Sequence, residues 1–430
     1  MRVVVATIAE NAHLQGMVPV GWALRTAGHE VRVASQPRLA DAVAGSGLTA
    51  VPVGRDHDLW RVMNAYQVVD GLGERAPLFG RAGRPAEEIT WEYVRDGYRQ
   101  VVPWWWRMVN DPMIDDLVAY CREWRPDLVI WGPVTFAGAV AAKVTGAAHA
   151  RLVWGADKFA LMRGHFLRLR DEQPPETRED PLAEWLGGRL ARYGERFSED
   201  LACGQLTVDC VPGSLRPGFG ADVPRVPMRY VPYNGRSVVP DWLRRPPERP
   251  RVALTMGISA ASRQDERMGT GQALLDALSG LDVEVVATLS AKQQAELTRV
   301  PADVRLVGYA PLHALAPTCA AVVHHGGWGT LATLTACGVP QLMLPNPLDQ
   351  PLLARAVARQ GAGLALAEGE TTAAHVRAGL ERLLAGPSFA EAARRLRAEA
   401  LAMPSPNEVV PELERLTEER RSRTPAGAPR

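Results

Sequence analysis

What this 430-residue chain lacks narrows its class first. Its five cysteines (Cys121, Cys203, Cys210, Cys319, Cys337) form neither a CxxC pair nor an even set, which excludes a zinc ribbon or disulfide framework and suits a reduced, cytoplasmic setting. No uninterrupted apolar run reaches the roughly 18 residues of a membrane span. The opening MRVVVATIAENAH has no small-residue cleavage site, so no signal peptide is read. Net charge is only +1, which gives no reason to expect nucleic acid or an acidic surface as partner. The first loop, AENAHLQG, lacks GxGxxG, which counts against a dinucleotide-dependent reductase.

What is present is an alternation of short apolar runs and helical spacing. VVVATIA (3–9), HEVRVAS (29–35), LTAVPVG (48–54), PDLVIWG (126–132) and AHARLVWG (148–155) read as buried strands in the first half. RVALTMGIS (251–259), LDVEVVATLS (281–290), VRLVGYA (304–310), AAVVHHGG (320–327) and VPQLMLP (339–345) repeat the pattern in the second. Such alternation implies α/β architecture: two mainly parallel, doubly wound Rossmann-like sheets, facing each other across a cleft. The expected organisation is an N-terminal domain over 1–212, a Pro- and Gly-rich linker over 213–240, a C-terminal domain over 241–405, and a helix with a tail over 406–430.

The stretch AAVVHHGGWGTLATL (320–334) stops a strand at two histidines, passes a glycine cluster and continues as helix. Free backbone N–H groups at such a junction favour an anion. Gly326, Gly327 and Gly329 let backbone approach closely, and His325 and Thr330 add donors, so a diphosphate fits; a tight turn with two satisfied histidines fits equally well. At the next junction Asp349 and Gln350 present a carboxylate and a carboxamide suited to vicinal hydroxyls of a sugar, or Asp349 simply caps the helix. In MGIS, Gly257 and Ser259 are placed to face phosphate, and Tyr309 in GYAPLHAL to stack on a base or to pack.

In this order and spacing the residues resemble the nucleotide-sugar motif of family 1 glycosyltransferases with the GT-B fold. HGGWGT (325–330) resembles the family's diphosphate-binding pattern, Asp349–Gln350 its sugar-contacting pair, and Tyr309 stands in place of its base-stacking Trp. HLQGMVPVGWALRTAGHEVRVAS (13–35), WRPDLVIWGPVTFAGAVAAKVTGAAHARLVWG (124–155), DPLAEWL (180–186), MRYVPYNG (228–235), VVPDWL (238–243) and PLHALAPTCAAVVHHGG (311–327) resemble actinobacterial deoxysugar transferases acting on macrolide and anthracycline aglycones, of the desosaminyl and rhodosaminyl type. The resemblance implies an inverting enzyme that moves a deoxysugar or aminodeoxysugar from a dTDP-sugar to a hydroxyl of a polyketide-type aglycone in antibiotic biosynthesis.

The same resemblance implies that His13, expected to close the first loop in HLQGMVP, is the catalytic base. Many relatives orient this histidine with an acid after the strand equivalent to DLVIW, where this chain has Gly132; either another acid serves, Asp157 or Glu10, or His13 works with less assistance. It also implies a partner, a helper protein related to cytochrome P450 but lacking haem, contacting the N-terminal domain around residues 60–110. No cofactor or metal is expected: Asp56 and Asp58 in RDHD have metal-binding spacing but read as a solvated turn. Five of the twelve tryptophans fall within 91–124, suiting an apolar acceptor pocket, a contact face or core packing. The alternatives are a GT-B sugar-nucleotide epimerase, which needs no acceptor, and a non-catalytic accessory protein.

Overall fold

A computed structural model describes residues 1–59, 61–62, 77–216, 223–257, 271–345, 350–367 and 370–423. Thirteen strands are found among them: β1 (Arg2–Ala6), β2 (Glu30–Ser35), β3 (Thr49–Pro52), β4 (Leu128–Trp131), β5 (Ala148–Val153), β6 (Leu206–Asp209), β7 (Arg225–Pro227), β8 (Arg251–Thr255), β9 (Glu284–Thr288), β10 (Val304–Val307), β11 (Cys319–His324), β12 (Gln341–Met343) and β13 (Gly363–Ala365). They form two sheets, ordered β3-β2-β1-β4-β5-β6-β7 and β10-β9-β8-β11-β12-β13. Every pairing is parallel.

Parallel central strands are covered on both faces, which is why they read as unbroken apolar runs rather than as alternation. Val3, Val4 and Val5 in β1 and Leu128, Val129 and Ile130 in β4 are all buried, as are Val252, Ala253 and Leu254 in β8. In both sheets the chain winds outward in one direction, returns to the centre, and winds outward the other way. The reversal falls between β1 and β4 in one sheet and between β8 and β11 in the other. Connections diverge at such a switch point, leaving a crevice beyond the carboxyl ends of the strands where ligands bind.

Two units separate: Met1–Val211 with Pro217–Arg229 and Pro404–Arg430, and Pro212–Arg216 with Tyr230–Met403. The passage read as a linker is therefore shared, because Arg225–Pro227 adds the seventh strand to the first sheet. The helix Pro406–Arg423, set apart in the sequence reading, packs on the first unit against the helix Asn11–Thr26 and against β5 and β7. His29 Nε2 meets Glu414 at 2.9 Å across that contact.

The helix that follows β1 spans Asn11–Thr26. Its apolar face runs through Leu14, Met17, Val18 and Leu24, all buried. Glu10 stands at the N-cap position in extended conformation, without a side-chain cap, so no Ser/Thr/Asp/Asn signal marks the start. His13 consequently sits in the first helical turn rather than in the loop. Among the described residues no helix is long and apolar enough to cross a membrane.

Candidate functional site

The second switch point is built on the turn that follows β11. His324, fully buried, pairs with Thr255 in register, and its ring locks the turn. Its Nδ1 accepts from the Gly326 N–H at 3.0 Å, so the ring proton sits on Nε2 and is donated to Gln341 Oε1, also at 3.0 Å. Burial pushes this imidazole down to about 3, and neighbouring His325 adds to the effect. His324 is thus a neutral structural anchor. Gln341, the first residue of β12, was missed in the sequence because its partner lies on another strand; its amide reaches on to Thr335 Oγ1 at 3.3 Å.

His325 is treated differently. Its ring lies in a slot between two glycines. A Cβ on Gly257 would stand 2.2 Å from His325 Cε1, and one on Gly327 would stand 2.4 Å from Nε2. Gly257 also has φ of 73°, a conformation that side-chain-bearing residues rarely take. Bare backbone at both positions is therefore required to admit one imidazole. His325 as a whole is buried, with 7% of its surface exposed.

Gly327 is the N-cap of the helix Trp328–Cys337 and offers no side-chain cap. The first backbone bond to it comes from Leu331, so the amides of Trp328, Gly329 and Thr330 precede any intrahelical acceptor. Unpaired N–H groups and the positive end of a helix dipole converge beside His325, which is what an anion needs. Thr330 is half-buried in the third position of that first turn. Tyr230 adds a wall unseen in the sequence: its ring is edge-on to Trp328 at 6.0 Å, and its hydroxyl donates to the Gly329 carbonyl at 3.5 Å.

The structure thus brings His325, Gly257, Gly327, Gly329 and Thr330 to one turn, with Gly326 tied to His324. Tyr309 lies elsewhere, just beyond the edge strand β10, with 45% of its surface exposed and its hydroxyl donating to the Asn234 carbonyl at 3.2 Å. Ser259 and Asp349 lie outside the described residues, as does the Gln350 side chain; Gln350 is the first residue of the helix Gln350–Arg359.

At the first switch point, Ala6 pairs with Trp131, which places Gly132 beside the loop leading into the helix that carries His13. His13 is half-buried, its imidazole 5.1 Å from the Trp154 indole and nearly perpendicular to it at 78°. The alternative acid Asp157 is committed elsewhere. Its Oδ2 accepts from Arg151 at 2.6 Å and Arg225 at 3.0 Å, and its Oδ1 caps the helix Lys158–Asp171 through Ala160 N–H. Glu10 lies one turn before His13, its carboxylate 3.9 Å from Arg38.

The RDHD turn divides its carboxylates. Asp56 accepts from the Arg38 backbone N–H at 2.9 Å, Asp58 pairs with Arg61 at 2.6 Å, and His57 between them is buried. Among the described residues no group of His, Cys, Asp and Glu has the arrangement of a metal site. The tryptophan-rich segment is mostly core: Trp91 and Trp106 are buried with Tyr98, Phe136 and Phe166, while Trp104 is exposed.

The N-terminal domain of the erythromycin biosynthesis protein CIII-like family matches residues 22–257, and its C-terminal domain matches residues 272–416. The chain belongs to this family. It is 50% identical to a 10-deoxymethynolide desosaminyltransferase of Streptomyces venezuelae, over 100% of both chains. With an aklavinone 7-beta-L-rhodosaminyltransferase of Streptomyces galilaeus it shares 47% identity over 99% of this chain and 98% of the other. The glycosyltransferase VinC, solved in complex with dTDP, superposes with a TM-score of 0.87 at 42% identity, covering 97% of this chain and all of that one. The fold is GT-B, and the chain is a glycosyltransferase of the group that serves macrolide and anthracycline pathways.

Proposed function

We propose that this chain moves a deoxysugar or aminodeoxysugar from a dTDP-sugar to a hydroxyl of a polyketide-type aglycone, with inversion at the anomeric carbon. The observation that carries the donor half is the glycine slot around His325 at the β8/β11 switch point, opening onto the capless N-terminus of the helix Trp328–Cys337. A nucleoside diphosphate placed there has its α- and β-phosphates against the Trp328–Thr330 amides. His325 and Thr330 then act as side-chain donors, and Gly257 as close backbone. In this reading Asp349 and Gln350 hold the sugar hydroxyls, Ser259 adds a phosphate contact and Tyr309 stacks on the base. The dTDP in VinC and the sugars named for the relatives support the donor class.

The acceptor half rests on His13. A near-neutral imidazole suits removal of a proton from the acceptor hydroxyl as that oxygen attacks the anomeric carbon and the nucleoside diphosphate departs. Negative charge growing on the leaving diphosphate is met by oriented N–H groups and the helix dipole, so no metal is required. Chelator treatment should leave turnover unchanged; loss of activity restored by Mg²⁺ would overturn this part.

Two further elements complete the reading. A haem-free P450-like helper would contact the first unit around residues 60–110, of which 60 and 63–76 lie outside the described residues. A purified chain fully active alone would remove the helper. The chain would act in the cytoplasm. The deciding experiment is a transfer assay with a dTDP-deoxysugar and a panel of polyketide aglycones. Glycoside should form only when donor and acceptor are both present, whereas a new sugar nucleotide formed from donor alone would identify an epimerase instead.

A further inference from the structure

Gly132, just after the fourth strand, has no open space beside it. A Cβ on Gly132 would stand 2.9 Å from Cη2 of Trp154. Trp154 follows β5, and β4 lies between β5 and β1 in the sheet. Its indole therefore reaches across the end of β4 toward the first turn of the helix Asn11–Thr26. There it meets two residues on one helix face, spaced three apart: His13 and Gly16.

The second contact shows how closely the ring is fitted. A Cβ on Gly16 would lie 3.1, 3.2 and 3.3 Å from Cδ2, Cγ and Cε3, three bonded atoms of the indole, as an atom above the ring plane would. Two glycines from different elements thus clear room for one indole, and the same indole stands edge-to-face with the His13 imidazole. Such perpendicular packing is the favoured geometry of aromatic pairs because a positive ring edge meets a negative face. It restricts rotation of the imidazole about its side-chain bonds, and a ring that becomes an imidazolium gains from a π-system within about 6 Å.

We propose that Trp154 is a positioning residue for His13, its indole filling the space cleared by Gly16 and Gly132 and holding the imidazole at the angle from which it takes the acceptor proton. The inference rests on the reading of His13 as base. It predicts that the contact acts on the proton-transfer step and leaves donor binding alone, because the donor contacts are read on the second unit.

The test measures kcat, donor KM and dTDP affinity for wild type, His13→Ala, Trp154→Ala, Trp154→Phe and the double variant His13→Ala/Trp154→Ala. Trp154→Ala should lower kcat roughly tenfold, the upper range for an aromatic contact, with donor KM and dTDP affinity unchanged. Trp154→Phe, which keeps a ring face, should recover most of the rate. In the His13→Ala background, removing the indole should cost nothing further, since the ring it orients is gone. Wild-type kcat in Trp154→Ala, or the same fold loss with and without His13, would overturn the proposal. Wild-type kcat in His13→Ala would instead remove the base itself, a separate outcome. Should Trp154→Ala not fold, Trp154→Leu fills the volume without the ring, and the same losses and the same contradictions apply.

Discussion

The two switch points share one strand order and spend their glycines in opposite ways. At the β8/β11 junction, Gly257 and Gly327 part to admit a single imidazole and leave the helix N-terminus without a cap. At the β1/β4 junction, Gly16 and Gly132 part to admit an indole, which covers backbone rather than exposing it. On the proposed function, the difference matches what each end would hold. Phosphate is recognised by main-chain N–H groups, which work only when bared and fixed. A hydroxyl proton is taken by a side chain, which works only when its orientation is restricted. On the proposed function, one topology would thus serve as an anion cradle in one unit and hold a buttressed histidine in the other.

The largest expected break in this comparison is His13→Ala. Turnover should fall about 10²- to 10⁴-fold, the usual contribution of a general base, while calorimetric dTDP affinity stays at the wild-type value. The mirror experiment is Gly257→Ala, which drives a methyl into the His325 ring and forces a side chain into positive φ. It should weaken dTDP binding by roughly tenfold or more. Together the pair separates the two ends: one variant loses chemistry and keeps nucleotide, the other loses nucleotide.

A third prediction concerns pH. Burial pushes His324 down to about 3 and His57 down to about 4, Arg38 adding to the effect on His57. Both stay neutral in the folded chain, whereas the unfolded chain takes up these protons near pH 6.5. Their contribution to stability is therefore complete above about pH 6.5 and falls as the pH drops toward 4 for His57 and toward 3 for His324. The slope is about 1.4 kcal/mol per pH unit for each. Calorimetric melting between pH 4.5 and 7.5 should show this acid loss, and His324→Asn or His57→Asn should each flatten it.

The smallest effect belongs to Tyr230→Phe. Its hydroxyl makes one long bond to the Gly329 carbonyl, so the change should alter dTDP affinity by no more than about threefold.

How far the sequence spoke depended on whether the signal was local. β1, β4, β8 and β11 were legible because parallel central strands are apolar throughout, and HHGGWGT marked its own strand–helix junction. The start of the first helix was not, because Glu10 gives no capping signal. β7 was hidden inside a proline-rich passage, three residues long and at the sheet edge. The division of labour between His324 and His325 depends on Gln341 and Gly257, residues that join the turn only through the sheet. Trp154 closes the apolar run AHARLVWG, yet its packing depends on Gly16 and Gly132, which no spacing rule connects to it.

In the proposed reaction the paired phosphates of the donor dock on the turn after β11. A crystal soaked with dTDP tests it most directly. Phosphate oxygens should lie within hydrogen-bond distance, about 2.7–3.2 Å, of the Trp328–Thr330 amides and of the His325 ring. A nucleotide bound elsewhere on the chain, with that turn left uncontacted, would contradict the account.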